Sequence, residues 1–169
     1  MSEDVKDRCT MRSLYSMASM VLFALTVTSP AVAAPADRGL VTKPSNYSVR
    51  QTIQRFEAAV KAQGWMVFTE LDHAAAAAKY GLTMRPRTVI VYGNPPGGTP
   101  VMQKAPTLAI DDPPKALVWE DDQGKVWLTY NSAEYFGNYV YPRHGVTMSD
   151  DQIHRLEHFL DTVSDQATK

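Results

Sequence analysis

The stretch that decides the fold is Lys115-Ala116-Leu117-Val118-Trp119-Glu120-Asp121-Asp122-Gln123-Gly124-Lys125-Val126-Trp127-Leu128-Thr129-Tyr130-Asn131. Two runs rich in β-branched and aromatic residues flank an Asp-Asp-Gln-Gly turn, so a β-hairpin is expected, with strands Lys115–Glu120 and Lys125–Asn131. Upstream, Arg87 to Tyr92 is a denser β-branched run and reads as a central strand. Trp65 to Leu71 alternates, placing Trp65, Val67 and Thr69 on one face and Met66 and Phe68 on the other. Gly39 to Ser45 reads as a first strand. Helices separate and close this set. Ser48 and Gln51 form a capping box ahead of Val49, Ile53, Phe56 and Val60, which recur at helical spacing up to Gly64. Asp72 caps a short alanine-rich helix from His73 to Tyr80, closed by Gly81. Gly93 to Pro100 reads as a Gly/Pro loop, with Thr99 and Pro100 opening a short helix through Lys104. Asp111 to Pro114 is a second turn, and Ser132 to Asn138 a helical turn. Ser149 and Gln152 box the last helix, whose buried stripe is Ile153, Leu156, Leu160 and Val163. The order predicts an α+β domain, a mostly antiparallel sheet with helices packed on one face.

Composition narrows the function. The chain has 169 residues, with 17 basic and 18 acidic side chains. That balance, with no basic stripe, argues against nucleic acid as a partner. The single cysteine, Cys9, excludes an internal disulfide and a four-cysteine zinc site. The start of the chain reads as a cleavable signal peptide over residues 1–33. Arg8 and Arg12 precede the apolar run Leu14 to Val27, and Ala31 and Ala33 supply the small residues for cleavage after Ala33. Met11 is an alternative start. The run is shorter than the ~20 residues that span a bilayer, so no stable membrane span is expected after cleavage. The mature chain would be periplasmic or secreted and free of thiols. It divides into a tail and first strand over 34–46 and one domain over 47–165.

A set of motifs carries a resemblance. Asp72-His73-Ala74-Ala75 is followed by Gly81-Leu82, Arg85-Pro86, Gly93-Asn94-Pro95 and Gly98-Thr99-Pro100-Val101-Met102-Gln103. The two hairpin strands, Ala116 to Glu120 and Gly124 to Tyr130, complete the set. In order and spacing these resemble the domain of unknown function 302 family, from about Tyr47 to Leu160. The resemblance implies a TATA-binding-protein-like β-α-β(4)-α arrangement that is commonly a homodimer. It carries over no catalytic residue, and the cofactor stays unknown.

The residues themselves offer several chemistries, each with a plainer alternative. Gly93 to Thr99 imitates part of a phosphate loop but lacks the lysine, and its prolines remove N–H donors, so nucleotide hydrolysis is rejected. A weaker anion site on the Gly97, Gly98 and Thr99 amides stays open, against a simple strand-to-helix connection. His73, in the first turn of its helix, could be a metal ligand or general base. His144 could join it and Glu120 around one cleft, or tie down a loop. His154 and His158 have metal-ligand spacing, but they fall away from the buried stripe and lack the glutamate of a zinc protease. Trp119, Trp127 and Tyr130 read as hairpin core, dimer contact or an apolar ligand wall. No Gly-x-Ser-x-Gly elbow is present, and no catalytic motif is recognised.

The expectation is a homodimeric domain that binds a small apolar or anionic molecule or serves as an accessory protein. The candidate ligand-binding residues are His73, Asn94, Gly97, Gly98, Thr99, Met102, Trp119, Glu120, Tyr130 and His144. The alternative is an enzyme or metal-binding protein using His73 and His144.

Overall fold

The computed structural model describes residues 39–169. The expected signal segment and the residues up to Arg38 lie outside the described residues. Five strands, β1 (Leu40–Pro44), β2 (Met66–Asp72), β3 (Arg87–Gly93), β4 (Lys115–Glu120) and β5 (Val126–Asn131), form one sheet in the order β1-β5-β4-β3-β2. Every neighbouring pair is antiparallel. The helices are α1 (Val49–Ala62), α2 (His73–Ala78), α3 (Pro95–Lys104), α4 (Ala133–Tyr135) and α5 (Asp150–Thr168).

The hairpin forms as its sequence predicts. Gly124 takes the left-handed φ of 78° that a tight turn needs. The Asp121 carboxylate accepts the Gln123 and Lys125 amides at 3.0 and 2.8 Å, which anchors the turn. β1 pairs with β5, Leu40 opposite Asn131 and Pro44 opposite Trp127. The folded unit therefore starts before Tyr47, and α5 carries it to Thr168. Both capping boxes are present, at Ser48 with Gln51 and at Ser149 with Gln152.

α1 and α5 cover one face of the sheet. Ile53, Phe56 and Val60 of α1 and Phe159, Leu160 and Val163 of α5 close over Ile90, Tyr92, Val118, Leu128 and Tyr130. Burying each such side chain contributes about 1.5–3 kcal/mol. Phe56 meets Tyr92 edge-on at 5.2 Å, and Tyr130 Oη bonds Ser164 Oγ at 3.1 Å, so the buried hydroxyl is satisfied. The opposite face, with Val89, Val91, Leu117, Trp119 and Trp127, is only half-buried.

Two local expectations are corrected. The pairing of β2 with β3 shifts register between Val67 and Thr69, so Val67 lies opposite Tyr92 and Thr69 opposite Val91. An irregularity of this kind inserts a residue and breaks the period-2 alternation, so Val67 and Thr69 share the faces of adjacent, oppositely directed β3 residues. The second correction is at residues 93–100. Gly93 ends β3, and α3 starts at Pro95, five residues before the expected Pro100. Pro95 and Pro96 fall in the first turn, where a missing N–H costs nothing. Pro100 lies inside the helix.

Candidate functional site

The end of β3 at Gly93 opens into a cavity of about 780 Å³. Its floor comes from Trp65, just before β2, and from Phe68 and Gly93 of the sheet. One wall is the start of α3, with Asn94, Pro95, Gly97, Gly98, Thr99 and Met102. The turn Asp112-Pro113-Pro114 forms a second wall. The third comes from Phe136, Tyr141 and Met148 and from Arg155, Leu156, His158 and Phe159 of α5. Local sequence sets how tightly this end packs. The small Gly93 lets Phe68 and Pro113 approach closely: a Cβ there would stand 3.0 Å from the Phe68 ring and 3.2 Å from Pro113. Trp65 stacks on Phe159 with ring centroids 3.9 Å apart, which holds the inner wall rigid.

One ionisable group sits among these apolar surfaces. Asp112 is half-buried, and burial raises its carboxyl above the ordinary range, against smaller opposing effects of the Tyr141 hydroxyl and the Lys115 charge. Tyr141 Oη donates to Asp112 Oδ2 at 3.3 Å. Burial, then the nearby Asp112 charge, raises the Tyr141 phenol in turn. Asp112 was missed in the sequence because Asp-Asp-Pro-Pro reads as a turn; only the folded chain shows its carboxylate facing aromatic rings.

The start of α3 does not offer free amides where the sequence suggested an anion. The Gly97 and Gly98 N–H groups both donate to the Asn94 carbonyl, at 3.0 and 2.9 Å. Asp112 Oδ2 lies 3.5 Å from where a Cβ on Gly98 would stand, so the protein supplies its own negative charge at this positive helix end.

Of the ten candidates, Asn94, Gly97, Gly98, Thr99 and Met102 line the cavity. The other five do not. His73 is exposed and follows Asp72, which pairs with Thr88 at the far end of β3 from Gly93. At ~3.3 Å per residue that end is roughly 17 Å away. Asp72 caps α2 by accepting the Ala75 amide at 2.9 Å. Glu120 is also at the far end, where Arg85 Nη1 donates to it at 2.9 Å and Arg85 Nε to Asp122 at 3.2 Å. A second hollow of about 590 Å³ lies beside Glu120, lined by polar residues such as Ser48, Arg50 and Lys125. Trp119 packs on Trp127 on the uncovered sheet face, its indole N–H donating to Thr129 Oγ1 at 3.0 Å. Tyr130 is core.

His144 lies near the cavity wall but is fully engaged. Its Nδ1 is 2.9 Å from Thr107 Oγ1 and its Nε2 2.6 Å from Asp111 Oδ2. It ties the 3-10 turn Pro142–His144 to the segment after α3. His73 and His144 thus stand at opposite ends of the sheet and share no site. Among the described residues no three His, Cys, Asp or Glu side chains converge to hold a metal. His154 and His158 are exposed, as the helical wheel indicates, though His158 reaches the cavity mouth.

A five-stranded antiparallel sheet backed by two long helices, with an aromatic cavity at one strand end, defines a small α+β domain. Residues 41–163 match the family described as "Domain of unknown function DUF302", and the chain belongs to that family. A crystal structure of an uncharacterized conserved DUF302 protein from Bacillus stearothermophilus has the same fold. Its TM-score is 0.63 at 17% identity, over 77% of this chain and 98% of that one. The "Fluoride-specific ion channel FluC 1" proteins of Brucella suis and Brucella abortus are 43% identical over 122 residues, 72% of this chain. The chain spans less than half the length of these curated relatives, 46% and 44%.

Proposed function

We propose that this chain is an exported accessory domain that binds a small, mainly apolar molecule in the cavity at the Gly93 end of the sheet. The cavity carries the reading. Its volume of about 780 Å³ falls within the ~300–1,000 Å³ of small-molecule sites, and its walls are aromatic with a few converging polar groups. Export to the periplasm or medium rests on Arg8, Arg12, the apolar run to Val27 and the small residues before Ala34. Dimerisation through β2 is part of the proposal. β2 is an edge strand, and Met66, Phe68 and Leu71 on it are exposed by 44, 47 and 51%. Phe68 also lines the cavity, so a partner strand there would extend its wall.

Native mass spectrometry on protein exported by its own signal tests this. The expected spectrum is a dimer of chains starting at Ala34 with added mass that Gly98→Trp removes. A protein that holds no added mass and binds no apolar probe in titration would overturn the binding reading. A concentration-independent monomer would overturn the dimer.

A second reading comes from the Brucella relatives. A fluoride channel must cross the membrane by helices or a closed barrel. No helix among the described residues is long and apolar enough to cross. The segment those proteins share with this chain would then be a companion to the conducting part, and this chain would accompany a membrane ion channel. Fluoride efflux from cells with and without this gene is the check. A slower efflux without it supports the companion role, and an unchanged rate counts against it.

A further inference from the structure

We propose that the cavity selects a ligand with a cationic ammonium group on an apolar body, the ammonium meeting Asp112 and the body lying against Trp65, Phe68, Tyr141 and Phe159. This rests on the reading of the cavity as a ligand site and names the chemistry of its occupant.

The carboxylate is the starting point. Asp112 lines a wall of aromatic rings, and its one side-chain hydrogen bond among the described residues is the long contact from Tyr141, at 3.3 Å. Its neighbour Asp111 is paired with Arg143 at 3.1 Å and with His144 at 2.6 Å. Lys115 directs its ammonium to the carbonyls of Asp111 and Pro113, at 3.4 and 3.1 Å, so its charge offsets the burial of the Asp112 carboxylate only in part and forms no ion pair with it. A half-buried carboxylate without an ion pair is costly unless something compensates it. An ammonium does so at close range. Aromatic faces add attraction for the same charge through their quadrupoles, more strongly where water is excluded.

The opposite charge is poorly served here. The Gly97 and Gly98 amides are turned onto Asn94, and Asp112 would repel an anion at the start of α3. The fixed positive charge lining the cavity among the described residues is Arg155, which is exposed on the α5 wall beside the equally exposed His158. Exposed charges are screened by water and salt, so they weigh less than the half-buried carboxylate.

Three probes with one apolar body separate the possibilities: phenethylamine, 2-phenylethanol and 3-phenylpropionate, titrated calorimetrically into the full chain at neutral pH. The expected order is amine, then alcohol, then carboxylate, with about tenfold or more between the first two. Asp112→Asn should bring the amine down to the level of the alcohol, with the fold of the variant checked by circular dichroism. Equal binding of all three probes would overturn the cation selectivity while leaving the apolar site standing. Tighter binding of the carboxylate would overturn it in favour of Arg155. An amine affinity indifferent to Asp112→Asn would also overturn it. Binding of none would remove the ligand site itself, and this inference with it.

Discussion

The two ends of strand β3 are built from the same sheet and meet different fates. At the Gly93 end, a glycine that lets Phe68 and Pro113 come close, three prolines and a helix start surround a gap lined by aromatic side chains. At the Arg87 end, polar groups answer one another. Asp72 caps α2, and Arg85 bridges Glu120 and Asp122. The hollow beside Glu120 is smaller and polar. Apolar walls that leave a space can hold an apolar guest, whereas polar groups that satisfy each other leave less for a guest to gain. The difference is why the proposed ligand site lies at one end, while the other end is given a structural role.

Phe159→Ala should have the largest effect, because that ring serves both the core and the cavity through its stack on Trp65. A loss of about 3–5 kcal/mol in urea unfolding is expected. A loss below about 1 kcal/mol would mean that the Gly93 end is not held by this stack.

Gly98→Trp comes next. Its side chain would enter the cavity past Met102 and Asp112. Probe affinity should fall about tenfold or more, equivalent to ~1.4 kcal/mol, with the fold retained by circular dichroism. Unchanged affinity would break the comparison. Asp72→Ala at the other end removes the α2 cap and should cost about 1 kcal/mol in stability, without changing probe affinity. Arg85→Ala should cost less than ~1 kcal/mol, since Arg85 is largely exposed. His73→Ala should leave both quantities unchanged, and a weaker probe affinity in it would move the site.

Asp112→Asn sharpens the contrast through pH. Burial raises the folded-state pKa of this carboxyl above its unfolded value, so the folded protein binds the proton more tightly. Its stabilising contribution is full below the unfolded pKa, roughly 4, and is lost as pH rises through the raised folded value. The asparagine variant should therefore melt higher than wild type at pH 7, and the gap should close in acid. A lower melting temperature at pH 7 would mean that ionised Asp112 is stabilised by contacts other than Tyr141.

Much of the fold was legible because local signals and tertiary structure agree. The hairpin turn, both capping boxes and the Val49, Ile53, Phe56, Val60 stripe are local patterns, and each forms where it was read. The start of α3 was misplaced because Thr99-Pro100 imitates a cap, while the prolines at 95 and 96 suit a first turn just as well. The β2 irregularity left no mark in the alternation of Trp65 to Leu71. Half of the candidate site was legible: Asn94 to Met102 reach the cavity through one contiguous motif. Asp112, Phe159 and the pair Trp65 and Phe68 come from three separate segments, and only folding brings them together. His73 and His144 were linked by chemistry alone, and strand length separates them.

The most direct test is a methyl NMR spectrum of the full chain with 13C-labelled methionine, recorded while phenethylamine is added. Met102 and Met148 line the cavity, whereas Met84 lies in the segment between α2 and β3, ahead of the Arg87 end. Saturating shifts at Met102 and Met148, with Met84 still, are the predicted result. Shifts at Met84 alone, or no shift at either cavity methyl, would contradict the placement of the site.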